Sequence, residues 1–105
     1  MGNVDLLERT RRLLAEPLVE GDTIDAKVLY LLQAEYVRRL GHYRRVDMGL
    51  NQKYGMTFDQ FVAQRAVRQS GYSWEVESDA MEWETAISGM QTFQRKLKEL
   101  QLAEE

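Results

Sequence analysis

The sequence contains no cysteine, one histidine and one proline among its 105 residues. Without cysteine, disulfide-linked scaffolds, cysteine-ligated zinc sites and thiol nucleophiles are excluded. A single histidine, His42, excludes a multi-histidine metal site, and the chain has no glycine-rich phosphate loop, nucleophile elbow or HExxH motif. We therefore predict a protein that is not an enzyme, with no catalytic residues, no metal ligands and no cofactor.

The chain also lacks an apolar run of the ~18 residues that a membrane-spanning helix needs. Its beginning does not show the basic-then-apolar pattern of a secretion signal. We expect a cytoplasmic protein that does not contact membranes. The length of 105 residues is that of a single domain, 1–105, in which residues 1–22 form an N-terminal helix and linker whose order the sequence leaves open.

Good helix formers are abundant, and the single proline, Pro17, leaves long stretches without a helix breaker. The apolar periodicity predicts an all-α fold with helices at 4–15, 24–54, 58–69 and 79–102. Residues suited to the helix ends support these limits: Asn3 as the first cap, Thr23 or Asp22 as the second, Gly55 as a left-handed C-cap, and Thr57 with Gln60 as a capping box.

Residues 72–78 (YSWEVES) alternate between apolar and polar side chains, with a period typical of a strand. The segment is too short to form a stable strand alone. We interpret it as an extended connector, followed by a last helix that Ser78 or Asp79 caps.

Two of the predicted helices carry continuous apolar stripes, which predicts an antiparallel hairpin of 24–54 against 79–102 with helix 58–69 over its open end. The long helix would measure about 46 Å, more than the about 33 Å expected across a compact chain of this length, so we expect an elongated molecule. The stripes contain Leu29, Leu32, Tyr36, Leu40, Tyr43, Leu50 and Tyr54 in the first helix, and Trp83, Ala86, Met90, Phe93, Leu97 and Leu100 in the second.

A hairpin buries one stripe per helix, so a protein partner or a homodimer is an expected companion of this fold. The spacing of the stripe from Trp83 to Leu100 is that of a coiled-coil seam, and it suits packing within one chain or between two. Packing between two chains is the basis of an alternative function, that of a coiled-coil assembly protein. Asp47 falls within the apolar stripe of the long helix, where a charge is costly unless it is paired. We predict that it pairs with Arg95 or Lys98 across the hairpin.

The net charge of −3 is unevenly distributed. Residues 72–85 carry five acidic and no basic side chains, whereas residues 23–54 carry six basic and three acidic ones. The acidic segment can be a solvated connector that also favours a helix N-terminus, or a surface that recognises a cationic partner. A metal site or a glycosidase-like carboxylate pair is disfavoured because no histidine or second acidic helix completes it. The candidate partner-binding residues are Trp74, Glu75, Glu77, Glu82, Trp83 and Glu84.

The basic side chains of the long helix have two interpretations. They can be a solvated face that forms ion pairs, or a phosphate-binding surface for nucleic acid. An isoelectric point near 5.2 and the absence of a helix-turn-helix pattern weigh against DNA binding. The candidate nucleic-acid-binding residues in this alternative are Arg38, Arg39, His42, Arg44 and Arg45.

The string QKYGMTFDQF at 52–61, followed by Trp74-Glu75 and by Glu82-Trp83-Glu84, resembles a pattern in small antitoxin-like helical proteins of prokaryotic type II toxin–antitoxin modules. The resemblance covers roughly residues 35–100. It implies a protein that binds and blocks a toxin partner, often a nuclease or a nucleotidyl-modifying enzyme, and that can assist repression of its own operon. The part before residue 23 is too short for an appended DNA-binding domain, which argues against binding to DNA without a partner.

Overall fold

The computed structural model describes residues 6–103, which form five helices and no strand. They are α1 (Glu8–Leu14), α2 (Ile24–Tyr54), α3 (Phe58–Ala63), α4 (Ala66–Gln69) and α5 (Trp74–Ala103). The predicted all-α fold is confirmed. Two compact units are present, one that ends at Glu35 and one that begins at Tyr36. Within the described residues, no helix is both long enough and apolar enough to cross a membrane.

In the unit that ends at Glu35, α1 is shorter than predicted. Leu7 precedes it in an extended conformation, and the helix ends at Leu14, close to Pro17. The prediction of helix 4–15 is thus wrong at residues 6 and 7, and positions 4 and 5 with the proposed cap Asn3 lie outside the described residues. Helix α2 begins as predicted, because Thr23 Oγ1 accepts a hydrogen bond of 3.0 Å from the backbone N–H of Ala26.

The end of α2 and the start of α3 follow the predicted capping chemistry. Gly55 adopts φ 65°, and its N–H donates to the Asn51 carbonyl at 2.8 Å. Left-handed backbone of this kind favours glycine at a helix C-terminus. Thr57 and Gln60 then form the reciprocal capping box that begins α3. Both predictions are confirmed.

The predicted helix 58–69 is instead two short helices. Arg65 adopts a left-handed conformation, φ 53° and ψ 47°, and separates α3 from α4. In one straight helix, Val67 would lie about 180° from Phe58. The break lets Phe58, Phe61 and Val67 all pack into the same core, which explains why tertiary contacts override the continuous helical pattern.

The predicted connector 72–78 is wrong, because α5 already begins at Trp74. Ser73 is its cap, with Oγ accepting from the Val76 N–H at 3.2 Å; Ser78 and Asp79 lie inside the helix. Val76 and Ala80 continue the 4-3 apolar spacing that reaches Trp83, and both pack against the core. The alternation in YSWEVES had concealed this helical pattern.

In the second unit, the part of α2 after residue 35 runs antiparallel to α5. Residues that come later in α2 contact residues that come earlier in α5: Tyr43 stacks on Phe93, Asp47 bonds to Trp83 and Tyr54 bonds to Asp79. The predicted antiparallel pairing is therefore observed here. In the predicted seam, Trp83 and Ala86 are buried and Met90, Phe93, Leu97 and Leu100 are half-buried, and the contacts of Trp83 and Phe93 are made within the chain.

Candidate partner-binding surface

One face of α5 exposes two large apolar side chains among carboxylates. Trp74 and Met81 are seven residues apart, which places them within about 20° of each other around the helix. They remain 73% and 56% exposed. Glu77, Glu82 and Glu84 flank them, and we call these five residues the acidic face. Met81 was absent from the predicted set, although its position seven residues after Trp74 could have indicated it.

The carboxylates of the acidic face have no partner among residues 6–103. Glu82 and Glu84 are exposed and Glu77 is half-buried, and none of the three side chains forms a hydrogen bond or ion pair with another residue in that range. An unpaired carboxylate keeps its full capacity to accept hydrogen bonds and to attract a cation. The acidic face is therefore available to a positively charged partner.

Glu75 has a different role from the other predicted carboxylates. Lys53 Nζ, at the end of α2, donates to Glu75 Oε1 at 2.8 Å and to Asp79 Oδ2 at 2.6 Å. The Tyr54 hydroxyl donates to the same Asp79 oxygen at 2.6 Å. These four residues form a polar clamp that joins the end of α2 to the first turns of α5. The clamp orients the segment that carries Trp74.

The clamp shifts the pKa values of its members. The hydrogen bond from Lys53 and then that from Tyr54 lower the pKa of Asp79 from its usual 3.8. Hydrogen bonds to Asp79 and Glu75 raise the pKa of Lys53. Burial and then the bond to Asp79 raise the pKa of Tyr54 to about 12. The native fold thus favours the ionised Asp79, the protonated Lys53 and the neutral Tyr54.

These shifts predict how stability depends on pH. Because the native pKa of Asp79 is depressed, its contribution is present above its unfolded value of 3.8 and declines as the pH falls further. Because the pKa of Tyr54 is raised, its contribution is present below 10 and declines between 10 and about 12. Thermal unfolding from pH 2 to pH 12 should show both declines. Asp79→Asn should flatten the acidic one, whereas the exposed control Glu82→Gln should not; an unchanged acidic limb in Asp79→Asn would contradict the clamp.

Trp83 does not belong to the surface that the sequence predicted for it. Its side chain is 0% exposed, and its indole Nε1 donates to Asp47 Oδ1 at 2.8 Å. The predicted pairing of Asp47 with Arg95 or Lys98 is therefore wrong. An indole N–H needs an acceptor when it is buried, and this requirement explains the carboxylate within the apolar stripe of α2.

An apolar groove of about 300 Å³ borders the acidic face between α3, α4 and α5. Val62 and Tyr72 line it and stay exposed, and Glu84 lies at its rim. Tyr72, like Arg65, has a positive φ. The sequence did not indicate this groove, because side chains of α3, α4 and α5 meet there only in the folded chain.

The five basic residues predicted for nucleic-acid binding lie on different flanks of α2. All five are exposed. Arg38, His42 and Arg45 fall within about 60° around the helix, whereas Arg44 lies about 100° from Arg45. The guanidinium of Arg39 lies 5.7 Å from the centre of the Phe93 ring. They do not converge on one surface, so the predicted set does not form a single phosphate-binding site.

Within residues 6–103, no group of three or more His, Asp or Glu side chains is placed to hold a metal ion. Comparison of the chain with protein-family models, with curated proteins and with solved structures finds no match.

Proposed function

We propose that the protein is a non-enzymatic, cytoplasmic binding protein that neutralises a basic partner protein through the acidic face, in the manner of an antitoxin. The observation that carries the proposal is the exposure of Trp74 and Met81 between carboxylates that have no partner within the described part of the chain. Tryptophan is enriched among the residues that dominate binding energy at interfaces. The adjoining groove offers space for an apolar side chain of the partner.

Electrostatic complementarity supports a cationic partner. The acidic face contributes three unpaired carboxylates around its two apolar anchors, and complementary charge speeds association and suppresses wrong partners. A toxin that acts on RNA has to present positive charge to its substrate. The acidic face would cover such a positively charged surface. This mode of binding agrees with the resemblance to antitoxin-like proteins.

The resemblance itself divides into structural and exposed residues. In the segment 52–61, Lys53 and Tyr54 belong to the clamp, and Phe58 and Phe61 to the core. In the second half of the pattern, Trp83 also belongs to the core and Glu75 to the clamp, whereas Trp74, Glu82 and Glu84 are exposed and lie outside the clamp. We therefore assign recognition to these three residues and scaffolding to the residues of the core and the clamp.

The experiment is co-expression with the product of the neighbouring gene, followed by co-purification and a growth assay. We expect a stable complex and relief of toxicity, with Trp74→Ala and Met81→Ala each weakening binding at least tenfold, about 1.4 kcal/mol. Met48→Ala is the matched control, because Met48 is also 60% exposed but lies on α2; it should bind normally.

Charge is tested separately by Glu82→Gln combined with Glu84→Gln. This double variant should associate more slowly, and its association rate should depend less on salt, because the acidic face loses two charges that attract the partner. Glu99→Gln, exposed and farther along α5, is the control and should associate at the original rate. Absence of any complex, or equal loss in Met48→Ala and Met81→Ala, would contradict the proposal.

A further inference from the structure

A second groove lies between α2 and α5, far along α5 from the acidic face. It has a volume of about 510 Å³. Leu40 and Leu97 supply its apolar floor, and the remaining lining residues are polar or positively charged: Arg44, Gln94, Arg95, Lys98 and Gln101. Glu84 is the member of the acidic face nearest to the groove along α5, and the helical rise of 1.5 Å per residue puts about 15 Å between it and Gln94. The two surfaces also share no lining residue, so this groove is separate from the acidic face.

The groove collects three cations from two helices and contains no carboxylate. Arg44 faces it from α2, and Arg95 and Lys98 from α5. None of the three forms an ion pair with another residue in the described part of the chain. Lys53 is the contrast, since it is held by two carboxylates. Three like charges around one depression repel one another unless an anion neutralises them.

The geometry points to a binding site for a phosphate-bearing anion in this groove. The two arginines can each hold a phosphate through two parallel hydrogen bonds, and the lysine adds a point charge. Gln94 and Gln101 contribute amide N–H donors. From Gln94 to Gln101 the groove extends about 10 Å along α5, a length that suits two or three adjacent phosphates.

The chemistry of the lining also limits what is recognised. No aromatic side chain lines the groove, so it offers no platform on which bases could stack. Contacts to phosphate alone position a ligand without reading a base sequence. The expected ligand is thus either the backbone of a nucleic acid bound without sequence preference or a free polyphosphate.

The test measures binding of a fluorescent ten-nucleotide RNA and of inorganic tripolyphosphate to the full chain at several salt concentrations. The three cations should neutralise three phosphates. A plot of the logarithm of the RNA association constant against the logarithm of the salt concentration should then have a slope of about −2. Arg44→Gln, Arg95→Gln and Lys98→Gln should each weaken binding several-fold and reduce the slope by about 0.7.

Arg45→Gln is the control, because Arg45 is exposed on the same helix but does not line the groove; its binding should change less than twofold. Unchanged melting temperatures will show that the variants fold. If the RNA binds and tripolyphosphate displaces it, the ligand is the backbone of a nucleic acid. If tripolyphosphate binds and the RNA does not, the ligand is a free polyphosphate. Failure of both probes to bind, or equal losses in Arg45→Gln and Arg44→Gln, would overturn the proposal.

Discussion

Replacement of Trp83 by alanine is expected to lower the free energy of unfolding by about 3–5 kcal/mol, as for other large buried aromatic residues. Its ring lies 5.1 Å from Phe61, 5.5 Å from Phe58 and 6.0 Å from Tyr54, measured between ring centres. Removal of the indole would empty the centre of this aromatic cluster. It would also leave the half-buried carboxylate of Asp47 without its donor. Urea unfolding followed by circular dichroism measures the change.

Trp74→Ala is the matched control, since it removes the other tryptophan from the same helix. Trp74 is 73% exposed, so its replacement should change stability by less than about 0.5 kcal/mol while it weakens partner binding. Trp83→Phe separates packing from hydrogen bonding: it keeps an aromatic ring but removes the donor to Asp47, at an expected cost of about 1–3 kcal/mol. Equal effects of Trp74→Ala and Trp83→Ala on stability would contradict the assignment of core and surface.

Gly89→Ala is expected to destabilise the second unit by about 1–3 kcal/mol, the usual cost of overpacking. A Cβ at residue 89 would overlap with the ring of Tyr43 on α2. That ring stacks on Phe93 at 6.1 Å, so it cannot move without loss of the stack. Alanine has a higher helix propensity than glycine, by about 1 kcal/mol. A net decrease in the free energy of unfolding would therefore be due to the steric effect. Thermal and urea unfolding measure it.

Gly49→Ala is the control for the glycine prediction. Gly49 is also inside a helix, but a Cβ there would have no neighbour within 4 Å. This variant should gain up to about 1 kcal/mol through helix propensity alone. In a Tyr43→Ala background, Gly89→Ala should stabilise as well, because the obstructing ring is gone. Destabilisation by Gly89→Ala that persists without the Tyr43 ring would refute the close approach of α2 and α5.

The local predictions that were confirmed concern helix ends that a few neighbouring residues determine. Thr23, Gly55 and the pair Thr57 with Gln60 act through hydrogen bonds or backbone conformations that extend over three or four residues. Their chemistry is complete within the segment, so it can be predicted without knowledge of the fold. The limits of α2 at Ile24 and Tyr54 follow from the same kind of information.

The candidate site was predicted only in part, because exposure depends on the packing of distant segments. Both tryptophans lie in the same acidic segment. The apolar spacing places Trp83 in the seam, but the charge pattern assigned both tryptophans to the binding surface. Trp83 is buried because Phe58 and Phe61 come from α3 and Asp47 from α2, whereas Trp74 lies on the opposite face of α5. The burial of Trp83 removes it from the predicted binding surface, whereas the exposure of Met81 adds this residue to the surface.

The amino-acid sequence alone is enough to predict that the protein is helical, which of its helices are long, where charge of each sign is concentrated, and which cysteine and histidine chemistries are excluded. These properties depend on composition and on periods of a few residues. Two features follow instead from the packing of the helices: Trp74 is the exposed tryptophan, and Arg44 meets Arg95 and Lys98 at one groove. Each of these depends on contacts between residues far apart in the chain, and a local pattern does not specify those contacts.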